Sequence, residues 1–232
     1  MNRWTVLFFL AAQACTACLG TSSGSSNAGI SPALTAARDK HDALAVADAL
    51  EDLIASGNDR AEDRQFAYDV VRAKPLDTPD YTYARAVVTG RLVQQRGLLG
   101  ADLVPEVEHY ARRSRELDPK FRTGAATRML GTLYVIAPPA LLKHGDSETG
   151  LELLEGLVQA HPETLENHLR VAEAYIALGD PEPAKEHLCK CQLDQARLRG
   201  DDRQLLAQLM KDAGQPKCAP PASPTASPPA SE

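Results

Sequence analysis

The chain has 232 residues, enough for one medium domain or two small ones with dispensable ends. With 44% hydrophobic and 24% charged residues it has an ordinary globular composition, which excludes a membrane bundle and a wholly disordered chain. A formal net charge of −6 leaves no basic excess to neutralise phosphates and argues against general nucleic-acid binding.

At the N-terminus Arg3 precedes an apolar run from Trp4 to Ala12. Spanning a bilayer takes about 20 residues. The run is too short for that and, followed by small residues, predicts a secretory leader that is removed. Ala11-Ala12-Gln13-Ala14-Cys15 and Thr16-Ala17-Cys18 both resemble the lipobox at which bacterial lipoproteins are cleaved and acylated, so Cys15 and Cys18 are both candidate lipid acceptors. Plain cleavage near Ala14 or Ala17, giving a free protein, is the alternative. We divide this end into a leader with lipobox at 1–18 and a tether at 19–30, where Gly20 to Gly29 has a Gly/Ser composition suited to a flexible linker.

From 31 to 213 apolar residues recur at helical spacing, as in Leu44, Ala47, Leu50, Leu53 and Ile54, with no sustained two-residue alternation, which predicts an all-α domain. Ser31-Pro32, Thr78-Pro79, Asp118-Pro119 and Asp180-Pro181 place capping side chains or first-turn prolines at helix starts. A helix from Ala43 to Ser56 begins a series whose first-helix starts fall near Ala43, Tyr83, Gly124 and Leu165, about 40 residues apart. Glu62 to Pro75 fits no register. Ala172, Tyr175, Gly179, Ala184 and Leu188 occupy the small, aromatic, turn-glycine, small and large positions of a tetratricopeptide repeat, and Leu130, Gly131, Tyr134, Gly150 and Leu154 repeat that order one period earlier. The fold class this resemblance implies is a tetratricopeptide-like helical-repeat solenoid of about four helix pairs, with a helix from Asp202 to Lys211 capping the open end.

The segment 214–232 is rich in Pro, Ala and Ser and predicts a disordered tail. In an oxidising compartment its Cys218 is expected to pair with Cys189 or Cys191, whose side chains diverge on one helix and do not suit each other.

From Asp80 to Leu188 the segments GRLVQQRG (Gly90 to Gly97), RELDPKF (Arg115 to Phe121) and LGTLYVIAPP (Leu130 to Pro139) resemble the T-component (TatT-like) family of TRAP transporters. The resemblance implies a periplasm-facing scaffold, lipid-anchored or secreted, that associates with the solute-binding protein of a tripartite transporter. The concave lining of such a repeat falls on Val87, Arg91, Gln94 and Gln95; Arg128, Thr132, Val135 and Ile136; and Leu169, Glu173 and Ile176. Arg91 and Arg128 beside aliphatic side chains suit a protein segment bearing a carboxylate. A groove filled by the enlarged Pro138-Pro139 loop is the competing expectation, and a periplasmic carrier enclosing a small apolar or carboxylate ligand is the alternative function.

No HExxH, GxSxG, P-loop or metal-finger spacing occurs, so neither an enzyme nor a cofactor or metal site is expected. His161 and His168 are assigned to surface or turn positions, and the acid pairs Glu51-Asp52 and Glu62-Asp63 to solvated helix faces. Arg112, Arg113 and Arg115 form a basic run near a helix end, where positive charge is favoured.

Overall fold

The computed structural model describes residues 29–218. The leader, Cys15 and Cys18, nearly all of the tether and the tail beyond Cys218 lie outside the described residues. Within them the chain forms ten α-helices and no strand: α1 (Pro32–Asp39), α2 (Ala43–Ser56), α3 (Asp63–Arg72), α4 (Pro79–Arg96), α5 (Val104–Leu117), α6 (Ala125–Ile136), α7 (Ser147–Ala160), α8 (Leu165–Ala177), α9 (Pro181–Leu193) and α10 (Gly200–Asp212). The segment that fits no register is α3, and α4 starts at Pro79 rather than Tyr83. Proline in the first turn has its φ preset for a helix and loses no internal hydrogen bond there.

Local chemistry sets the boundaries. Asp42 accepts from the amides of Leu44 (2.8 Å) and Ala45 (3.2 Å), and Asp146 accepts from that of Thr149 (2.9 Å), each satisfying donors that a helix start leaves unpaired. Gly57 ends α2 at φ 70°, in the left-handed region that glycine enters without steric cost.

Consecutive helices pack antiparallel, so that α2/α3, α4/α5, α6/α7 and α8/α9 are hairpins set side by side. Thr89 of α4 meets Glu106 of α5 while Pro79 meets Ser114, which fixes the direction of that pair. Leu34, Leu50, Tyr81 and Leu92 anchor one core, and Leu165, Leu169, Leu188 and Leu206 another. Burying each such side chain contributes about 1.5 to 3 kcal/mol. Ala172 and Ala184 are wholly buried where α8 and α9 cross, because a larger side chain would force the axes apart.

The α6/α7 crossing is closer still. A Cβ on Gly150 would sit 2.8 Å from the Gly131 carbonyl oxygen and 2.9 Å from both Tyr134 and Val135. Gly150→Leu should therefore destabilise the fold by about 2 to 3 kcal/mol, since a backbone oxygen cannot rotate away. Gly156, on the same helix with nothing within 4 Å of its added Cβ, supplies the control: Gly156→Ala should stabilise by about 0.5 to 1 kcal/mol in urea unfolding.

Two features depart from the sequence expectation. The Pro138 to His144 loop does not enter the inner face: the Glu108 carboxylate of α5 accepts from the amides of Lys143 (2.9 Å) and His144 (2.8 Å) and holds the loop on the outer helix. The last helix does more than cap an open end, because α10 packs on α8 and α9 and also on α2 at the far end of the array.

Candidate functional site

Of the first helices of the hairpins, α2 packs on α4 and α6 on α8, and α10 joins α8 back to α2; we call the side of these helices that α10 covers the inner row. The N-terminus of α10 enters between α8 and α2. Arg199 reaches the Glu51 carbonyl oxygen, and Gly200 packs so closely on the Ala55 carbonyl that it has no room for a side chain. Asp201 and Asp202 stand in the first turn of α10, where acidic charge is favoured. There they meet two arginines of the inner row.

Arg91 Nε and Nη2 bind the Glu51 carboxylate at 2.5 and 2.7 Å, and Nη2 also donates to Asp201 at 3.1 Å. Burial alone would lower the Arg91 pKa, but the hydrogen bonds and charge of Glu51, reinforced by Asp201, raise it, so the guanidinium stays charged. Arg170 pairs with Asp202 at 2.6 Å and with Glu173 at 2.9 Å. Burial pushes the Asp202 carboxyl above its ordinary value, and the Arg170 charge opposes that rise. Arg128 donates to Asn167 at 2.8 Å, tying α6 to α8.

The residues expected to line an open trough are thus distributed otherwise. Val87 and Leu169 are core side chains, and Val135 and Ile176 are half-buried against neighbouring helices. Arg91, Arg128 and Glu173 are engaged in ion pairs or hydrogen bonds between or within helices. Gln94 accepts from Arg91, and Gln95 donates to the Ala61 carbonyl at 2.8 Å. The Thr132 hydroxyl is buried without a partner. Ile136 alone of the set is a large exposed apolar side chain. Counting positions from each helix start does not reveal what covers these side chains.

Three further corrections concern charged and titratable groups. Asp63 is buried, accepting from the Ser31 amide (2.8 Å), the Ser31 hydroxyl (2.6 Å) and the Arg60 amide (2.8 Å), and Glu51 is the main partner of Arg91. Neither lies on a solvated face. His168 is buried rather than superficial: its Nε2 lies 2.8 Å from the Pro162 carbonyl oxygen and its Nδ1 2.8 Å from Nδ1 of His187. The first contact requires Nε2–H, so in the neutral pair His168 Nδ1 accepts from Nδ1–H of His187.

Burial lowers the pKa of both histidines, and the charge of His168 lowers that of His187 further. Their folded-state values lie below the unfolded value of 6.5, so on acidification the unfolded chain binds protons first. Stability is full above that value and is lost as pH falls toward the depressed folded values. We expect the thermal midpoint to drop on going from about pH 7.5 to about pH 5, and His187→Ala to show a shallower pH slope.

Cys189 is joined to Cys218, with Cα atoms 5.0 Å apart. Cys191 is buried and free, and burial pushes its thiol up to about 12, which makes it a packing residue rather than a nucleophile. No group of three or more His, Cys, Asp or Glu side chains among the described residues could hold a metal ion.

On the outer layer the basic run takes a definite form. Arg112, Arg115, Glu116 and Pro119 surround an open hollow of about 410 Å³ at the C-terminal end of α5, and His109, Arg112, Arg113, Glu116 and His144 surround a smaller one of about 190 Å³ beside it. Arg113 is committed to Asp77 at 2.5 Å, and Arg112 makes only a long 3.7 Å approach to Glu116. Arg115 is exposed and in no ion pair among the described residues. A scan of the chain against protein-family models gives no match, and no curated protein matches it.

Proposed function

We propose that the chain is a non-enzymatic interaction scaffold of the bacterial cell envelope: a tetratricopeptide-like solenoid held at a membrane by a lipid on Cys15 or Cys18, with a protein partner. The solute-binding protein of a TRAP-type transporter is the partner to which the resemblance of GRLVQQRG, RELDPKF and LGTLYVIAPP points. The hairpin stacking and the Cys189–Cys218 pair, which suits an oxidising compartment, support this reading.

The observation that carries it is the hollow on α5. Arg112 and Arg115 present guanidinium groups beside Pro119 on an outer surface, a combination that accepts a carboxylate-bearing segment of another protein. The inner face serves this less well, because its arginines already hold carboxylates of this chain. A carrier with ligand in the groove would require α10 to leave its place between α8 and α2.

The test is co-purification from solubilised membranes with the tagged full chain and with Arg112→Glu/Arg115→Glu. A partner retained by the parent chain and lost by the variant, at unchanged melting temperature, supports docking at the hollow. Equal recovery by both places the partner elsewhere, and recovery by neither removes the scaffold reading.

A further inference from the structure

Among the described residues the two most exposed large apolar side chains are adjacent: Leu98 is 85% and Leu99 is 87% exposed. They sit in Gly97-Leu98-Leu99-Gly100, in a 3₁₀ turn (Gly97–Leu103) between α4 and α5. This turn is firmly based. Gly100 is buried against Val93 and Arg96, Gln95 bonds the Ala61 carbonyl, and Arg96 donates to Gln65 at 2.5 Å. A rigid base under two bare leucines exposes apolar surface that nothing in the hairpin needs for packing.

The position of the turn within the array says more. Consecutive helices alternate in direction, so the C-terminal ends of α4, α6 and α8 share one end of the array. That end also carries exposed Ile136, at the last residue of α6, and exposed Leu178, just beyond α8. Leu76 precedes α4 and belongs to the opposite end. The chain preceding the described residues enters at the Leu98 end: Ser31 is fixed by Asp63, Arg60 reaches the Ile30 carbonyl, and Ala61 of the same loop is bonded to Gln95. From Cys15 or Cys18 to Gly29 the chain can span at most about 40 to 50 Å even when fully extended. A lipid on either cysteine therefore tethers the domain by this end and holds it within that reach of the bilayer.

We infer that the Leu98-Leu99 turn, at the end that also carries Ile136 and Leu178, rests on the lipid surface and inserts its two leucines at the headgroup boundary. The acyl anchor holds the chain at the bilayer, and the inserted apolar pair fixes which face of the domain meets it. The exposed cations Arg60 and Arg96 border the turn with the acids Glu62 and Asp102, so apolar burial rather than charge governs the contact. The inference rests on the lipid-anchored reading for its orientation and can fail separately from it.

The test uses the full chain with Trp4→Phe, so that an introduced indole is the only tryptophan. Leu98→Trp or Leu99→Trp is mixed with vesicles of phosphatidylethanolamine and phosphatidylglycerol whose acyl chains carry bromine. Emission should fall about twofold or more, as for a side chain 5–10 Å into the boundary, while Leu76→Trp is unaffected. No quenching at either leucine overturns the inference, whether the protein floats with the vesicles or stays in solution, and so does equal quenching at Leu76→Trp. A blue shift without bromine quenching means that a second copy or the chain's own N-terminal segment covers the turn, and overturns it too. Incorporation of labelled palmitate in cells reads the anchor independently. Quenching without label keeps the lipid-facing turn and removes the anchor; label without quenching does the reverse.

Discussion

Arg91→Glu is expected to lower the free energy of unfolding by about 4 kcal/mol. Its guanidinium holds Glu51 of α2 and Asp201 of α10 at once, with each of the three side chains about one-fifth exposed. Reversal brings three carboxylates into that space. Removing one partner of a largely buried ion pair costs more than the pair contributes, because the remaining carboxylates stay desolvated with only the long approaches of Arg199 to Glu51 (3.9 Å) and Asp201 (3.7 Å) to offset their charge. Arg91→Lys should cost clearly less, about 1 kcal/mol, as an ammonium keeps the charge but cannot reproduce the forked contact to Glu51. Arg115→Glu, on the exposed outer hollow, should stay within about 0.5 kcal/mol of the parent. Urea unfolding followed by circular dichroism distinguishes the three; equal midpoints for Arg91→Glu and Arg115→Glu would show that the inner face is not clamped.

Arg91 also marks where the sequence stopped being informative. The α8/α9 hairpin is legible because its signals are local: a 3.6-residue period, small residues at Ala172 and Ala184, and a turn glycine at Gly179 with φ 86°. The all-α class follows from the same periodicity. α3 escaped the register since its sequence serves other ends, with Asp63 turned inward to hold Ser31 and Tyr68 reaching Glu106. The inner face escaped for a different reason. Asp201 is 110 residues from Arg91, and Arg199 is 148 from Glu51, so no spacing rule links them. An acid pair on a helix looks solvated until the helix that covers it is known. The neutral His168–His187 pair is of the same kind, joining side chains of α8 and α9 across the crossing.

The closure of α10 depends in turn on a covalent bond, which yields the second large effect. Cys189 and Cys218 are 29 residues apart, and the loop they close contains the last turn of α9 and all of α10. In the chain-entropy description a cross-link of that span removes about 3 to 4 kcal/mol of freedom from the unfolded chain. Cys218→Ser, or reduction of the parent chain, is expected to cost about 3 kcal/mol and to lower the melting temperature by about 6 to 12 °C for a domain of this size. The loss should also be uneven. Once the loop is open, α10 can leave its neighbours without global unfolding, so its amides should exchange faster while those of α4 and α5 change little. Release would uncover Arg91 and Arg170, both held in part by carboxylates of α10, and expose the inner face that the oxidised chain keeps shut. Reduced and oxidised forms with the same melting temperature and the same exchange in α10 would mean that packing on α2, α8 and α9 holds the helix unaided.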